Sequence, residues 1–82
     1  MASSRLFRVV AQRLGQTSRR EFVIDAAAPI AAALEAFTRL SSLSPDVIDV
    51  VPLQEAGSQS VTVTVEAGLG ERFRLFVEPN AD

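Results

Sequence analysis

Apolar and polar residues alternate along most of this chain, and the period of the alternation changes once. Val61, Val63 and Val65 are separated by Thr62, Thr64 and Glu66, the two-residue period of a strand with one buried face. Phe73, Leu75 and Val77 repeat the pattern against Arg72, Arg74, Phe76 and Glu78. Ala67-Gly68-Leu69-Gly70 lies between the two runs and reads as a hairpin loop of about five residues with a left-handed glycine. The side chains select the register. Setting Val61 opposite Val77, Val63 opposite Leu75 and Val65 opposite Phe73 keeps the large apolar groups on one face. The other face then pairs Glu66 with Arg72 and Thr64 with Arg74. A slip of one residue would oppose Val65 and Arg72 and mix the faces.

The period lengthens to that of a helix over residues 29–41, PIAAALEAFTRLS. Ile30, Ala33, Leu34, Phe37 and Leu40 form one apolar stripe. Pro29 suits the first helical position, Asp25 brings negative charge toward the positive end of the helix dipole, and Glu35 and Arg39 form an i,i+4 pair. The small residues Ala26–Ala28 and Ala31–Ala33 permit close packing on a sheet. Ser41, Ser42, Ser44 and Pro45 end the helix. Val47–Leu53 follows as a strand closed by Pro52, and residues 54–59 as a loop.

Residues 1–20 carry Arg5, Arg8, Arg13, Arg19 and Arg20 and no acid. Three readings fit. The segment has the Arg-rich, Ser-containing composition of an organellar transit peptide; on a helix, Leu6, Val9, Val10, Arg13 and Leu14 share a face; on a strand, Phe7, Val9 and Ala11 do. The strand reading has independent support from residues 19–25. With 15–18 as a turn, Phe7 meets Ala26, Val9 meets Ile24 and Ala11 meets Phe22. The opposite face then sets Arg8 against Asp25 and Gln12 against Glu21, which are complementary.

The expected fold is therefore α+β: a single domain, 1–82, with one helix packed on an antiparallel sheet of four to five strands, in the order β-β-α-β-β-β. Residues 1–20 form its Arg-rich N-terminal strand or extension. One short helix cannot cover five strands. Leu6, Val10, Val23 and Phe76 fall on faces it does not reach, an excess of uncovered apolar side chains for 82 residues that points to a dimer, a partner or a curled sheet.

Composition narrows the chemistry. The chain has no His, Cys, Lys, Tyr or Trp. Nucleophilic Ser/Cys–His catalysis, Schiff-base formation, a P-loop lysine and thiolate or imidazole metal sites are thereby excluded. Gly68-Leu69-Gly70 sits in a hairpin with no helix after it, so it is no dinucleotide fingerprint. Asp46, Asp49 and Glu55 have no reason to converge as a catalytic carboxylate pair. No enzyme, no cofactor and no metal are expected. No apolar run approaches the roughly 20 residues of a membrane span. The N-terminal arginines have no Tyr, Trp or His interleaved among them, and the remaining residues are acidic, which argues against nucleic acid.

From Arg20 onward the chain resembles the opening of the polyketide-cyclase/START-like, helix-grip superfamily. The likeness rests on Phe22-Val23-Ile24-Asp25-Ala26, the helix 29–41, Ser44-Pro45-Asp46-Val47 and the strands at 47–53, 60–66 and 72–78. The family's helical Trp and Asp, its later strands and its long C-terminal helix have no counterpart here. The resemblance implies a carrier of a small apolar ligand, lined by Ile30, Leu34, Phe37, Val63, Phe73 and Leu75. The residues themselves favour a non-catalytic binding or assembly module that docks a protein partner or a second copy. Its contacts would be made by Arg5, Arg8, Val10, Arg13, Val23 and Phe76. The expected setting is cytoplasmic, or organellar if the N-terminus is a targeting segment.

Overall fold

The computed structural model describes residues 4–52 and 60–80. The chain forms strands β1 (Arg5–Arg13) and β2 (Arg19–Ala26), helix α1 (Pro29–Leu40), and strands β3 (Asp46–Pro52), β4 (Val61–Ala67) and β5 (Glu71–Pro79). The five strands make one antiparallel sheet in the order β2-β1-β5-β4-β3, with α1 on one face. The sequence-predicted loop 54–59, with Leu53 and Glu55, lies outside the described residues.

The C-terminal hairpin adopts the register that its side chains select, with Val61 opposite Val77, Val63 opposite Leu75, Val65 opposite Phe73 and Glu66 opposite Arg72. Gly68 and Gly70 of its loop take φ of +62° and +85°, conformations that an L side chain resists. The N-terminal segment is a strand, but its hairpin register differs by two residues from the expected one. Phe7 faces Ile24, Val9 faces Phe22 and Ala11 faces Arg20. A two-residue shift keeps every side chain on its face, so the apolar pattern cannot distinguish the two alignments. The turn decides between them: Gly15 has φ +92°, Gln16 N–H donates to Arg13 O, and the loop takes in Leu14–Ser18. Arg8 consequently lies opposite Val23 rather than Asp25, and Gln12 opposite Arg19 rather than Glu21.

The two hairpins join into one sheet through a pairing between β1 and β5. β1 inserts between β2 and β5, with Val9 against Val77 and Ala11 against Leu75. The core consists of Phe7, Val9, Ala11 and Ile24 from the N-terminal hairpin, Val63, Val65, Leu75 and Val77 from the C-terminal one, and the helix face above them. That helix face differs from the expected stripe. Ala32, Ala33, Ala36 and Phe37 are fully buried, Leu34 and Leu40 are half-buried, and Ile30 is exposed. Alanines at the contact let the backbone approach the sheet, and the larger side chains fill the flanks. Phe37 meets Phe73 edge to face, with centroids 5.1 Å apart, a favoured aromatic geometry. The helix packs on β2, β1, β5 and β4 and does not reach β3, every residue of which is exposed.

Within β3 the alternation breaks at Val47-Ile48-Asp49, and a bulge absorbs the break. Val47 and Val50 face Val65 and Val63, on the helix side, while Asp46, Asp49 and Val51 lie with Glu66, Thr64 and Thr62 on the other.

Candidate binding surface

The face of the sheet opposite α1 carries Leu6, Arg8, Val10 and Gln12 from β1, Arg19, Glu21, Val23 and Asp25 from β2, and Arg72, Arg74, Phe76 and Glu78 from β5. Strand alternation puts them there: each sits between the residues that fill the core. Val10 lies directly opposite Phe76 and Arg8 opposite Glu78. Val10 and Phe76 floor a shallow, open depression of about 610 Å³, rimmed by Arg8, Gln12, Arg19, Glu21 and Arg74. Four of the residues expected to contact a partner, Arg8, Val10, Val23 and Phe76, thus share this face. Val23 is 49% exposed and Phe76 36%.

The expected arginines are placed less uniformly. Arg8 is held within the chain: its guanidinium donates to Glu21 at 2.6 Å and to Glu78 at 2.7 Å, bridging β2 and β5 across β1. The hydrogen bond from Arg8 holds the Glu21 carboxyl below its usual range. The bonds to Glu21 and then Glu78 push the Arg8 guanidinium further up. Arg13 donates to Glu71 at 2.8 Å. Arg5 belongs to the helix side, its guanidinium 6.0 Å from the centre of the Phe7 ring. Arg39–Glu35 and Arg72–Glu66 form the two pairs read from the sequence, at 3.6 and 3.2 Å. Among the described residues Arg19, Arg74, Asp25, Asp46 and Asp49 make no ion pair within the chain. Sequence reasoning singled out Arg5, Arg8 and Arg13 and passed over Arg19.

Of the residues that a small apolar ligand would use, Phe37, Val63 and Leu75 have no exposed surface, and Phe73 packs against them. Ile30 lies outside this group, on the exposed side of α1. Asp46 and Asp49 stand on β3 facing solvent, with Glu66 and Thr64 as their cross-strand neighbours. Among the described residues no three His, Cys, Asp or Glu side chains are grouped to hold a metal ion. None of the described helices is long and apolar enough to cross a membrane. No family model matches the chain, and neither the curated proteins nor the solved structures contain a significant match to it.

Proposed function

We propose that this chain is a non-catalytic binding and assembly module that works through protein–protein contact. The observation that carries the reading is the one-sided cover of the sheet. The helix buries one face of four strands and leaves Leu6, Val23 and Phe76 between 36% and 49% exposed on the other. Two strands, β2 and β3, end the sheet with one side unpaired among the described residues. Unpaired backbone groups beside exposed apolar side chains make a docking surface for another strand or sheet. The rival reading, a carrier of a small apolar ligand, asks Phe37, Val63, Phe73 and Leu75 to line a site, but these side chains are engaged with one another in the core.

Light scattering across a concentration series, paired with native mass spectrometry, tests this. A mass that rises with concentration toward multiples of 8.8 kDa is the expected result. A single bare-chain mass at every concentration would remove self-association. A mass shifted by added fatty acid or another lipid-like molecule would favour the carrier.

A further inference from the structure

We propose that β2 is a self-complementary edge: a second copy of this chain sets its own β2 antiparallel against it, about a two-fold axis normal to the sheet and passing beside Phe22. The inference rests on the assembly reading above and names the surface and the partner. The product is one continuous sheet of two five-stranded halves, with both helices on the same side.

Charge order along the strand supplies the argument. β2 reads Arg19-Arg20-Glu21-Phe22-Val23-Ile24-Asp25-Ala26, with cations at its start and an acid near its end. An antiparallel two-fold reverses that order in the facing strand. Because the axis keeps both helices on one side, residues of the same face must oppose each other, which leaves registers two residues apart. With Phe22 opposite Phe22 of the second copy, Arg19 stands opposite Asp25, Glu21 opposite Val23, and Arg20 opposite Ile24. Moving two residues one way opposes Glu21 to itself; moving two the other way opposes Glu21 to Asp25. Only the Phe22-centred register of these three sets opposite charges together and no like charges directly opposite.

The chain's internal pairing leaves both residues available. Arg8, Arg13, Arg39 and Arg72 have acidic partners, whereas Arg19 and Asp25, like Arg20, Arg74, Asp46 and Asp49, have none among the described residues. Arg19 and Asp25 lie on the open face, opposite Gln12 and Leu6 of β1, and both are exposed. In the paired register each gains its counter-ion from the second copy, and the two-fold makes two such pairs. On the helix side half-buried Phe22, with Arg20 5.8 Å from its ring centre, meets its symmetry mate, an aromatic cross-strand contact.

The other edge is built differently. β3 has a bulge between Val47 and Asp49, ends in Pro52, which lacks an N–H, and carries only negative charge. These are devices that discourage strand addition.

Sedimentation velocity on the full chain at low salt, over a concentration series, tests the proposal. The wild type should pass reversibly from monomer to dimer. Arg19→Asp and Asp25→Arg each turn both intermolecular pairs repulsive and should raise the midpoint concentration roughly tenfold or more. An equimolar mixture of the two variants restores complementarity. In the mixed dimer the Arg19→Asp chain is acidic at both positions and the Asp25→Arg chain is basic at both, so each contact joins opposite charges. The mixture should dimerise near the wild-type midpoint. Neither residue has an ionic partner among the described residues, so both variants should fold, and circular dichroism checks this. Dimers indifferent to the single reversals, or variants that do not recover on mixing, would overturn the β2 edge while leaving an assembly module that uses another surface. A wild type that is monomeric throughout would overturn the edge outright.

Discussion

Arg8 illustrates how a charge that looks free in the sequence is used inside the fold. It sits on β1, one strand from the edge, so both neighbouring strands can offer it a carboxylate, and Glu21 and Glu78 do so at 2.6 and 2.7 Å. Glu21 binds its proton less readily when folded than when unfolded, because Arg8 donates to its carboxylate. The linkage has a definite sign. A carboxyl whose folded pKa is depressed stabilises the fold above its unfolded value, near 4.5, and loses that contribution as pH falls through the folded value. Arg8→Ala should therefore lower the melting temperature at neutral pH, and the gap between variant and wild type should narrow as pH falls below about 4.5. Thermal melts from pH 7 to pH 3 measure this; a gap that is constant or widens on acidification would contradict the assigned pair. Burial separates two other residues sharply. Phe37 has no exposed surface, so Phe37→Ala should cost about 3–5 kcal/mol, a large part of the roughly 4–12 kcal/mol expected for a domain of this size. Val23 is half exposed, and Val23→Thr should change stability by no more than about 0.5 kcal/mol. Urea unfolding of both variants tests the contrast, and a severe loss at Val23 would give it a structural role in the monomer.

At the scale of elements, what could be read in advance depended on whether local pattern or loop geometry decided the outcome. The β4–β5 register was legible because a one-residue error mixes the faces. The β1–β2 register was not, because a two-residue error keeps them intact and only the Gly15 turn distinguishes the alternatives. The same error hid Asp25 from the candidate site by assigning it to Arg8, whereas Leu6 is its neighbour on β1. The bulge in β3 was equally illegible, since Val47-Ile48-Asp49 fits two face assignments until β4 pairs with it. On α1 the expected stripe held Ala33 and Phe37, which are fully buried, but it took in exposed Ile30 and missed Ala32 and Ala36, which are also fully buried against the sheet. This close approach leaves no space for a longer side chain. Ala33→Leu should destabilise by about 1–3 kcal/mol through overpacking, despite the high helix propensity of leucine. The same substitution at exposed Ala31 should be close to neutral. Parallel denaturant titrations of the two variants decide the matter; equal midpoints would mean that α1 does not seat on the sheet through its alanine face.

Across the whole molecule, the sheet is best supported at its middle and least at β3. β1 and β5 are each flanked by two strands and lie beneath α1, and their pairing joins the two ends of the fold. That long-range contact was absent from the sequence reading, which could propose hairpins from local alternation but had no local signal for β1 beside β5. β2 is an edge with helix cover, and β3 is an edge without it. Protection against amide exchange rises with burial and with the number of contacts that must open. The expected order of protection in a dilute, monomeric sample is thus β1 and β5 above β4 and β2, with β3 exchanging first. Concentration should change one part of this order. If β2 pairs with β2 of a second copy, its outward-facing amides become hydrogen-bonded and slow markedly, while those of β3 keep their rates. Hydrogen–deuterium exchange read by NMR at two concentrations, below and above the association midpoint, resolves the edges residue by residue. Slowing confined to β2 between Arg19 and Asp25 would locate the contact there. Slowing at β3 instead would place assembly on the edge whose bulge, proline and acids oppose it, and would require a partner strand able to offset Asp46 and Asp49.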